Sequence, residues 1–320
     1  MTEPFGRRQF LQTAALAGLG LAACRVFRSR SESGPSVAER LGYPRDARLI
    51  ITNADDIGCT NSVNDACIKA FVARGINSGS VVVPCHGLAE FCQWSDTQPD
   101  VDLGVHLAFV SERPSLRWGP ILPRDQVPSL VDPDGYFPHA WSRDRKVNVK
   151  EVEAECRAQI ERARELGIKP THLDAHQHFL QFYGPDTAAV LARVAGDYRL
   201  PYRVARSWFR QRPDLRPVPG HNIPLDHRIE MRPGLASPDG WSRWYADQIR
   251  ALPPGLTEIL VHPGYDDPEL EQMTADDPNW GASWRQRDFN AMMSPEVHQA
   301  FQAVGAVPVT WRQVGTLLTF

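Results

Sequence analysis

Acidic and histidine side chains follow predicted strands at four separate places in this 320-residue chain. They are Asp55, Asp56, His106, Asp174, His176 and His262. In parallel α/β folds the carboxyl ends of the strands converge on one face, where active sites are built. We therefore expect these side chains to lie close together despite their distance in sequence.

Polar residues recur at every second position between 172 and 178. They are His172, Asp174, His176 and His178. If the strand continues through them, all four side chains point to one side, and such a face cannot belong to an apolar core. A carboxylate with two imidazoles is a sufficient donor set for a divalent cation that keeps open positions for water. Open positions are typical of catalytic rather than structural metal sites.

Each of these residues also has a purely structural interpretation. Asp56 could cap the helix that follows Gly58, since aspartate is a favoured N-cap residue. His106 lies in an apolar strand and could be a hydrogen-bonded core histidine, and His172 and His178 could be polar residues at a strand edge. The spacing favours a metal site and leaves these alternatives open.

The elements that must position these residues alternate along the chain from Arg48 onward. Short β-rich runs alternate with helical patterns, of which 149–166, stopped by Gly167, is the most regular. The seven predicted strands are 49–52, 80–83, 103–107, 171–174, 202–205, 258–261 and 307–310. This pattern favours an α/β fold, a distorted or incomplete (β/α) barrel, TIM-like, with a mostly parallel sheet. Neither G-x-G-x-x-G nor a P-loop follows the first strand, so the usual nucleotide-binding fingerprints are absent.

The composition is that of a soluble globular chain, with 42% hydrophobic and 23% charged residues. Disorder, collagen and coiled coil are excluded. A net charge of −3 provides no basic field, so we expect no nucleic-acid partner. The six cysteines contain no C-x-x-C pair and fit neither a zinc ribbon nor a small disulfide scaffold. We expect residues 40–320 to form a single catalytic domain, with 111–148 as a long loop that covers the site.

The N-terminal segment 1–24 has the pattern of an export signal. Arg7 and Arg8 precede an uncharged run that is too short to span a membrane, which resembles a twin-arginine signal. Leu21-Ala22-Ala23-Cys24 resembles a lipobox, whose cysteine is acylated. We therefore expect a periplasmic or membrane-anchored protein, tethered through lipidated Cys24 and a polar linker over 25–39.

Four ordered motifs resemble those of the YdjC-like carbohydrate deacetylases, also called the ChbG family. They are Asn53-Ala54-Asp55-Asp56-Ile57-Gly58, Gly104-Val105-His106-Leu107, Pro170-Thr171-His172-Leu173-Asp174-Ala175-His176-Gln177-His178 and Val261-His262-Pro263-Gly264-Tyr265. The resemblance also includes 117–120, 127–132 and 285–289, and so spans about residues 47 to 315. It implies a distorted barrel that hydrolyses N-acetyl groups from sugars such as chitin oligosaccharides.

The resemblance implies a role for five residues. Asp56, His106 and His176 match the metal ligands, Asp55 matches the catalytic base, and His262 matches the catalytic acid. We also expect neighbouring residues to orient the ligands or contact the substrate; these are Asp174, His178, Trp118, Arg285 and Arg287. The family suggests magnesium, whereas two imidazoles and a carboxylate suit zinc, iron or manganese, so the expected cofactor is one divalent ion, magnesium or zinc.

The expected reaction is metal-dependent release of acetate from an N-acetylated sugar or oligosaccharide. A divalent ion can lower the pKa of a bound water from 15.7 to about 7. Asp55, left free beside Asp56, would take the proton from that water, and His262 would protonate the leaving nitrogen.

Two other functions are considered. The first is an exported, lipid-anchored sugar-binding protein that lacks turnover. The second is a glycoside hydrolase, whose two carboxyl groups must flank one bond. We expect Asp55 and Asp56 to point in different directions, which disfavours glycoside hydrolysis.

Overall fold

The computed structural model describes residues 34–111, 117–141, 145–275 and 279–320. The export signal, Cys24 and most of the predicted linker lie outside the described residues. The described end of that linker forms a short helix, α1 (Val37–Arg40), which Ser36 caps by accepting from Glu39 N. The linker therefore ends before residue 39. Within the described ranges, none of the helices combines the length and apolarity that crossing a membrane requires.

Seven strands form one sheet in which every pairing is parallel. They are β1 (Arg48–Ile57), β2 (Ser78–Val81), β3 (Leu103–Leu107), β4 (Leu173–Ala175), β5 (His227–Glu230), β6 (Gly255–Val261) and β7 (Ala306–Pro308). The order is β4-β3-β2-β1-β6-β5, and β7 pairs with the first three residues of β1. This arrangement confirms the predicted α/β class with a parallel sheet.

The outer strand β4 is joined to the chain just before β5 through the extended segment 201–205, which we call the seam. Arg203 N donates to Leu173 O at 2.9 Å, and Leu225 N donates to Val204 O at 2.9 Å. The sheet thus curls into the distorted barrel expected from the sequence. The predicted strand 202–205 is wrong as an element, because only isolated bridges form there. The actual fifth strand, β5, escaped prediction because three of its four residues are polar.

Helices connect the strands. The helices of the described residues after α1 are α2 (Asn61–Val72), α3 (Leu88–Ser95), α4 (Val149–Glu165), α5 (Phe179–Phe182), α6 (Pro185–Tyr198), α7 (Trp241–Arg250), α8 (Pro268–Met273), α9 (Ala282–Met293), α10 (Pro295–Ala303) and α11 (Trp311–Gly315). The predicted face of α4 is confirmed, since Val152, Cys156 and Ile160 are buried. Prediction missed α9, because its buried residues include charged ones and its pattern is not amphipathic.

The long segment 111–148 contains neither helix nor strand in its described part, as expected. It is nevertheless tied to the body of the protein. Glu155 of α4 accepts from Ile121 N at 2.8 Å and from Leu122 N at 3.1 Å. Trp141 is buried and donates its indole N–H to Phe109 O at 2.7 Å. Trp141 therefore anchors the loop to the body of the protein.

Gly104 in β3 makes room for a buried histidine at the start of β4. A Cβ at position 104 would lie 2.4 Å from His172 Cε1. The His172 ring stacks on Trp311, with ring centroids 5.1 Å apart. Asp102 in turn accepts from Trp311 N at 3.0 Å and fixes the start of α11. His172 is thus a buried packing residue rather than the polar strand-edge residue of its structural interpretation.

We expect Gly104→Ala to lower the free energy of unfolding by about 1 to 3 kcal/mol, because the added methyl group overpacks the His172 ring. Denaturant-induced unfolding followed by circular dichroism measures this loss. The matched control is Gly196→Ala in α6, where the new Cβ meets only one atom, 4.0 Å away. That variant should gain about 0.5 to 1 kcal/mol from helix propensity. Equal effects of the two variants would contradict the packing argument.

Candidate metal and catalytic site

A bulge near the end of β1 brings two consecutive carboxylates to one place. The register with β2 shifts between Ala54 and Ile57, and Asp56 has a left-handed φ of 68°. Consecutive residues of a regular strand point to opposite faces, but a bulge interrupts that alternation. His106 Nε2 consequently lies 3.7 Å from Asp55 Oδ2 and 3.5 Å from Asp56 Oδ1. The expectation that the two carboxylates point in different directions is wrong.

The three residues predicted as metal ligands come together at this bulge. Asp56, His106 and His176 each offer one donor atom, and the three atoms lie within 4.8 Å of one another. Asp56 Oδ1 is 3.1 Å from His176 Nδ1 but accepts no hydrogen bond of acceptable angle. Its Oδ2 accepts from Arg285 at 2.6 Å. A buried carboxylate oxygen without a donor is suited to a cation.

His176 lies where the chain leaves β4. The strand ends at Ala175, and 176–178 form a single 3-10 turn in which Gln177 and His178 have φ values of 50° and 54°. The condition that the strand continues through residue 178 is therefore not met, because the left-handed residues end the alternation. Gln177 is exposed, as expected for a side chain that points away from the ligands.

His178 turns toward β5 instead of toward the ligands. Its Nε2 accepts from Arg228 at 2.7 Å, and its ring meets Trp208 with centroids 5.2 Å apart. Burial and the charge of Arg228 lower the pKa of His178 well below its ordinary value, so this imidazole is neutral. These contacts do not support the predicted role of His178 in orienting a ligand.

Asp174 contacts His106, one of the three predicted ligands. Asp174 Oδ1 lies 2.6 Å from His106 Nδ1. This contact holds the ring proton on Nδ1 and directs the lone pair of Nε2 at the two carboxylates of the bulge. Burial opposes a charge on His106, but Asp174 and Asp55 outweigh it and raise the pKa of the imidazole.

Arg203, which our sequence analysis missed, joins three buried carboxylates. Its guanidinium donates to both oxygens of Asp55 at 2.8 and 2.7 Å. It also lies 2.8 Å from Asp174 Oδ2 and, through Nε, 2.8 Å from Glu258 Oε2. Asp55 is therefore not the free carboxylate that we expected. The one available signal was a single charged residue in the otherwise uncharged segment 202–205.

The Arg203 charge decides the protonation state of its neighbours. Burial alone would raise the pKa of Asp55 and of Asp174, but the guanidinium outweighs burial and lowers both below their ordinary range. Glu258 differs, because there burial prevails and the pKa is raised. Its Oε1 accepts from the indole N–H of Trp311 at 3.2 Å. Asp55 and Asp174 are thus ionised, and Glu258 is the least firmly charged member of this group.

His262 directly follows β6 and is held by α9. Its backbone N–H donates to Asp288 Oδ2 at 3.0 Å, and Asp288 Oδ1 accepts from Trp241 Nε1 at 2.8 Å and from Tyr245 at 2.9 Å. Burial lowers the pKa of His262, assisted by the charge of Arg285 and opposed by that of Asp56. Asp288 lies in the motif 285–289 but was not predicted as a site residue.

The other predicted neighbours divide into two groups. Arg285 bridges Asp56 and the backbone of Trp280, whose carbonyl accepts from Arg285 Nε at 2.8 Å. The buried Trp118 ring lies edge-on to His176, with centroids 6.0 Å apart. Arg287 instead covers the ring of Trp241 at 4.9 Å. Arg285 and Trp118 therefore lie beside the predicted ligands. Arg287 packs on Trp241, whose indole N–H donates to Asp288 of α9.

This chain is similar in sequence to known proteins. Residues 48–303 match the family model described as YdjC-like protein. The chain belongs to the YdjC-like family. A relative from Thermus thermophilus named carbohydrate deacetylase is 34% identical, over 86% of this chain and 97% of its own length. Another of that name, from Thermoanaerobacter pseudethanolicus, is 26% identical, over 71% of this chain and 86% of its own.

A solved structure from Enterococcus faecalis V583 shares the fold of this YdjC-like chain. It carries a provisional name as a cellobiose-phosphate cleavage protein. It aligns with a TM-score of 0.69 and 25% identity, over 85% of this chain and all of the other. The barrel described above is thus a fold that this solved chain also has.

In this YdjC-like protein we expect Arg203→Ala to lower the free energy of unfolding by about 3 to 5 kcal/mol, because buried carboxylates lose their partner. Chemical denaturation at neutral pH measures the loss. The matched control is Arg193→Ala, which removes an ion pair with Glu153 from an arginine that is 49% exposed. That variant should change stability by less than about 1 kcal/mol. A similar loss in both variants would contradict the role assigned to Arg203.

Proposed function

We propose that this YdjC-like protein is a metal-dependent hydrolase that removes N-acetyl groups from amino-sugar oligosaccharides. The observation that carries the proposal is the buried donor set of Asp56, His106 and His176, with the ionised Asp55 beside it. The names of the two bacterial relatives support the carbohydrate substrate and the amide bond.

The residues present fit a divalent cation. Three buried carboxylates have pKa values below their ordinary range, those of Asp55, Asp56 and Asp174. The guanidinium groups of Arg203 and Arg285 pair with these carboxylates and offset two of the three charges. The remaining negative charge, together with the unbonded Asp56 Oδ1, is suited to a positive ion.

One divalent ion held by Asp56, His106 and His176 would polarise the amide carbonyl and make water a stronger nucleophile. Two imidazoles and one carboxylate are a typical zinc donor set, whereas magnesium prefers oxygen ligands. We therefore propose zinc ahead of magnesium.

Asp55 is the proposed base. Arg203 keeps the carboxylate in its charged, proton-accepting form. Asn53 Nδ2 and Ser80 Oγ also donate to Oδ1, at 2.8 and 3.2 Å, so that oxygen is fully engaged. Oδ2 has fewer donors and lies nearer the ligand His106, at 3.7 Å from its Nε2. We propose that Oδ2 accepts the proton from the attacking water.

His262 is the proposed acid. Its backbone is fixed by Asp288, and its half-buried side chain feels the charges of Asp56 and Asp55. Burial lowers the pKa of His262, so the ring is mostly neutral at neutral pH, while the charges of Asp56 and Asp55 favour the protonated form that the acid role requires. The proton would go to the leaving sugar nitrogen, which departs as an amine.

Glycoside hydrolysis is less favoured, for a different reason than the one drawn from the sequence. The two carboxylates do converge, but Arg203 holds Asp55 ionised and Arg285 does the same for Asp56. A glycosidase needs one of its two carboxyl groups protonated, with a raised pKa, to act as the acid. Neither carboxylate meets that requirement.

We expect Asp55→Asn and His262→Ala to bind metal like the wild type and to release acetate about 10²- to 10⁴-fold more slowly, because each removes one proton-transfer group. His106→Ala should lose metal as well as activity. Acetate release from N-acetylglucosamine oligosaccharides is measured after metal removal and reconstitution with zinc, magnesium, manganese or cobalt. Metal content is determined separately by elemental analysis.

Three outcomes distinguish the alternatives. Retained turnover in all three variants would contradict the proposed site. New reducing ends without acetate would indicate glycoside hydrolysis. Oligosaccharide binding without acetate release under any metal would indicate a sugar-binding protein that lacks turnover.

We further propose that the protein is exported by a twin-arginine signal and anchored through lipidated Cys24. Replacing Arg7 and Arg8 by lysine should leave the protein in the cytoplasm, since the signal depends on the arginine pair. Cys24→Ser should move it from the membrane to the soluble periplasmic fraction. The control replaces Arg28 and Arg30 by lysine, outside the signal. Unchanged fractionation of the Arg7/Arg8 variant would refute the export proposal.

A further inference from the structure

Two cysteine thiols are in contact close to the ligand set. Cys59 Sγ lies 3.5 Å from Cys85 Sγ, and both residues are buried, at 7% and 6% exposure. All five cysteines of the described residues are free thiols in this structure. The sequence did not suggest this pair, since the two residues are 26 positions apart and belong to no cysteine motif.

The pair connects the bulge of β1 to the loop that follows β2. Cys59 lies three residues after the ligand Asp56, and its backbone N–H donates to Asp56 O at 3.2 Å. Cys85 is held in its own turn by donating its N–H to Val82 O at 3.1 Å. A covalent bond between the two sulfurs would therefore cross-link the turn behind a metal ligand to the neighbouring strand.

The two cysteines are about equally buried, but Cys59 also borders a cavity. The cavity has a volume of about 450 Å³, and its wall includes His86, Glu90 and Glu269. Cys85 is not part of that wall. A small disulfide that enters this cavity would meet Cys59 first and would find Cys85 directly behind it.

We propose that Cys59 and Cys85 form an intrachain disulfide by exchange with a small disulfide or an oxidised dithiol protein. The contact with Cys85 and burial raise the pKa of the Cys59 thiol well above its ordinary value, so the exchange proceeds through a small thiolate fraction. That thiolate attacks one sulfur of the oxidant and releases the first thiol, which leaves a mixed disulfide at Cys59. The thiolate of Cys85 then attacks Cys59 Sγ and releases the second thiol. Two electrons pass to the oxidant, and the two thiol protons end on its reduced sulfurs.

The local geometry favours this bond over any other pairing. The two sulfurs must approach from 3.5 Å to about 2.05 Å, a small movement for side chains already in contact. The cross-link restricts the unfolded chain more than the folded one, so it stabilises the fold. Because the native positions are nearly kept, the bulge retains its shape and the ligand set is preserved.

The test uses the full chain with Cys24→Ser, prepared reduced and then treated with oxidised glutathione. Intact mass spectrometry should show the loss of two hydrogens, and peptide mapping should link 59 with 85. The Tm of the oxidised protein should be several degrees above that of the reduced protein, because the bond closes a loop of 26 residues. Metal content should be unchanged by oxidation.

The matched controls are Cys85→Ser and Cys156→Ser, added to the same background. Cys85→Ser should abolish both the link and the Tm increase, whereas the buried Cys156 is not part of the pair and its variant should keep both. A stable glutathione adduct without the link, a link to another cysteine, or an oxidised protein with an unchanged or lower Tm would each overturn the proposal. These readouts do not depend on the deacetylase activity.

Discussion

The interior of this barrel is organised around one buried cation. Arg203 has no exposed surface and touches the carboxylates of Asp55, Asp174 and Glu258. Transferring these charges from water into the protein costs several kcal/mol each, so none of them is stable there without the others. The group is therefore mutually dependent. Through Asp55 and Asp174 it sets the protonation and orientation of the residues around the donor set, and through Glu258 it reaches Trp311 in α11.

Local patterns in the sequence predicted the parts of this structure that depend on local forces. The buried face of α4 follows from its apolar spacing, and the strand ends carry the acids and histidines as expected. Such local patterns could not predict that Asp55 and Asp56 converge, because the left-handed backbone of Asp56 accompanies a register shift against β2. Arg203 was missed for a related reason. The side chain of Arg203 becomes important only in the folded chain, where the seam places it beside residues of β1, β4 and β6.

Arg203 and Arg285 bind the two adjacent carboxylates, Asp55 and Asp56, in different ways. Arg203 engages both oxygens of Asp55, which leaves that residue charged but firmly fixed. Arg285 engages only one oxygen of Asp56 and leaves the other facing the imidazoles. In the proposed mechanism Asp55 would receive a proton and Asp56 would hold a cation. The different numbers of hydrogen bonds, rather than different residue types, separate the two roles.

The seam also affects where the protein can tolerate changes in chain length. Between β4 and β5 the barrel is closed by a few backbone hydrogen bonds and by the side chain of Arg203, without a continuous strand ladder. The chain between 206 and 225 is fixed at its ends, where Arg206 N donates to Leu225 O and Asn222 bonds both backbone atoms of Tyr202. Insertions in the largely exposed stretch 216–219 should therefore alter mainly the entropy of a loop, which grows slowly with length. Changes confined to that stretch would alter the outline of the surface while the buried ion pairs of Arg203 stay in place.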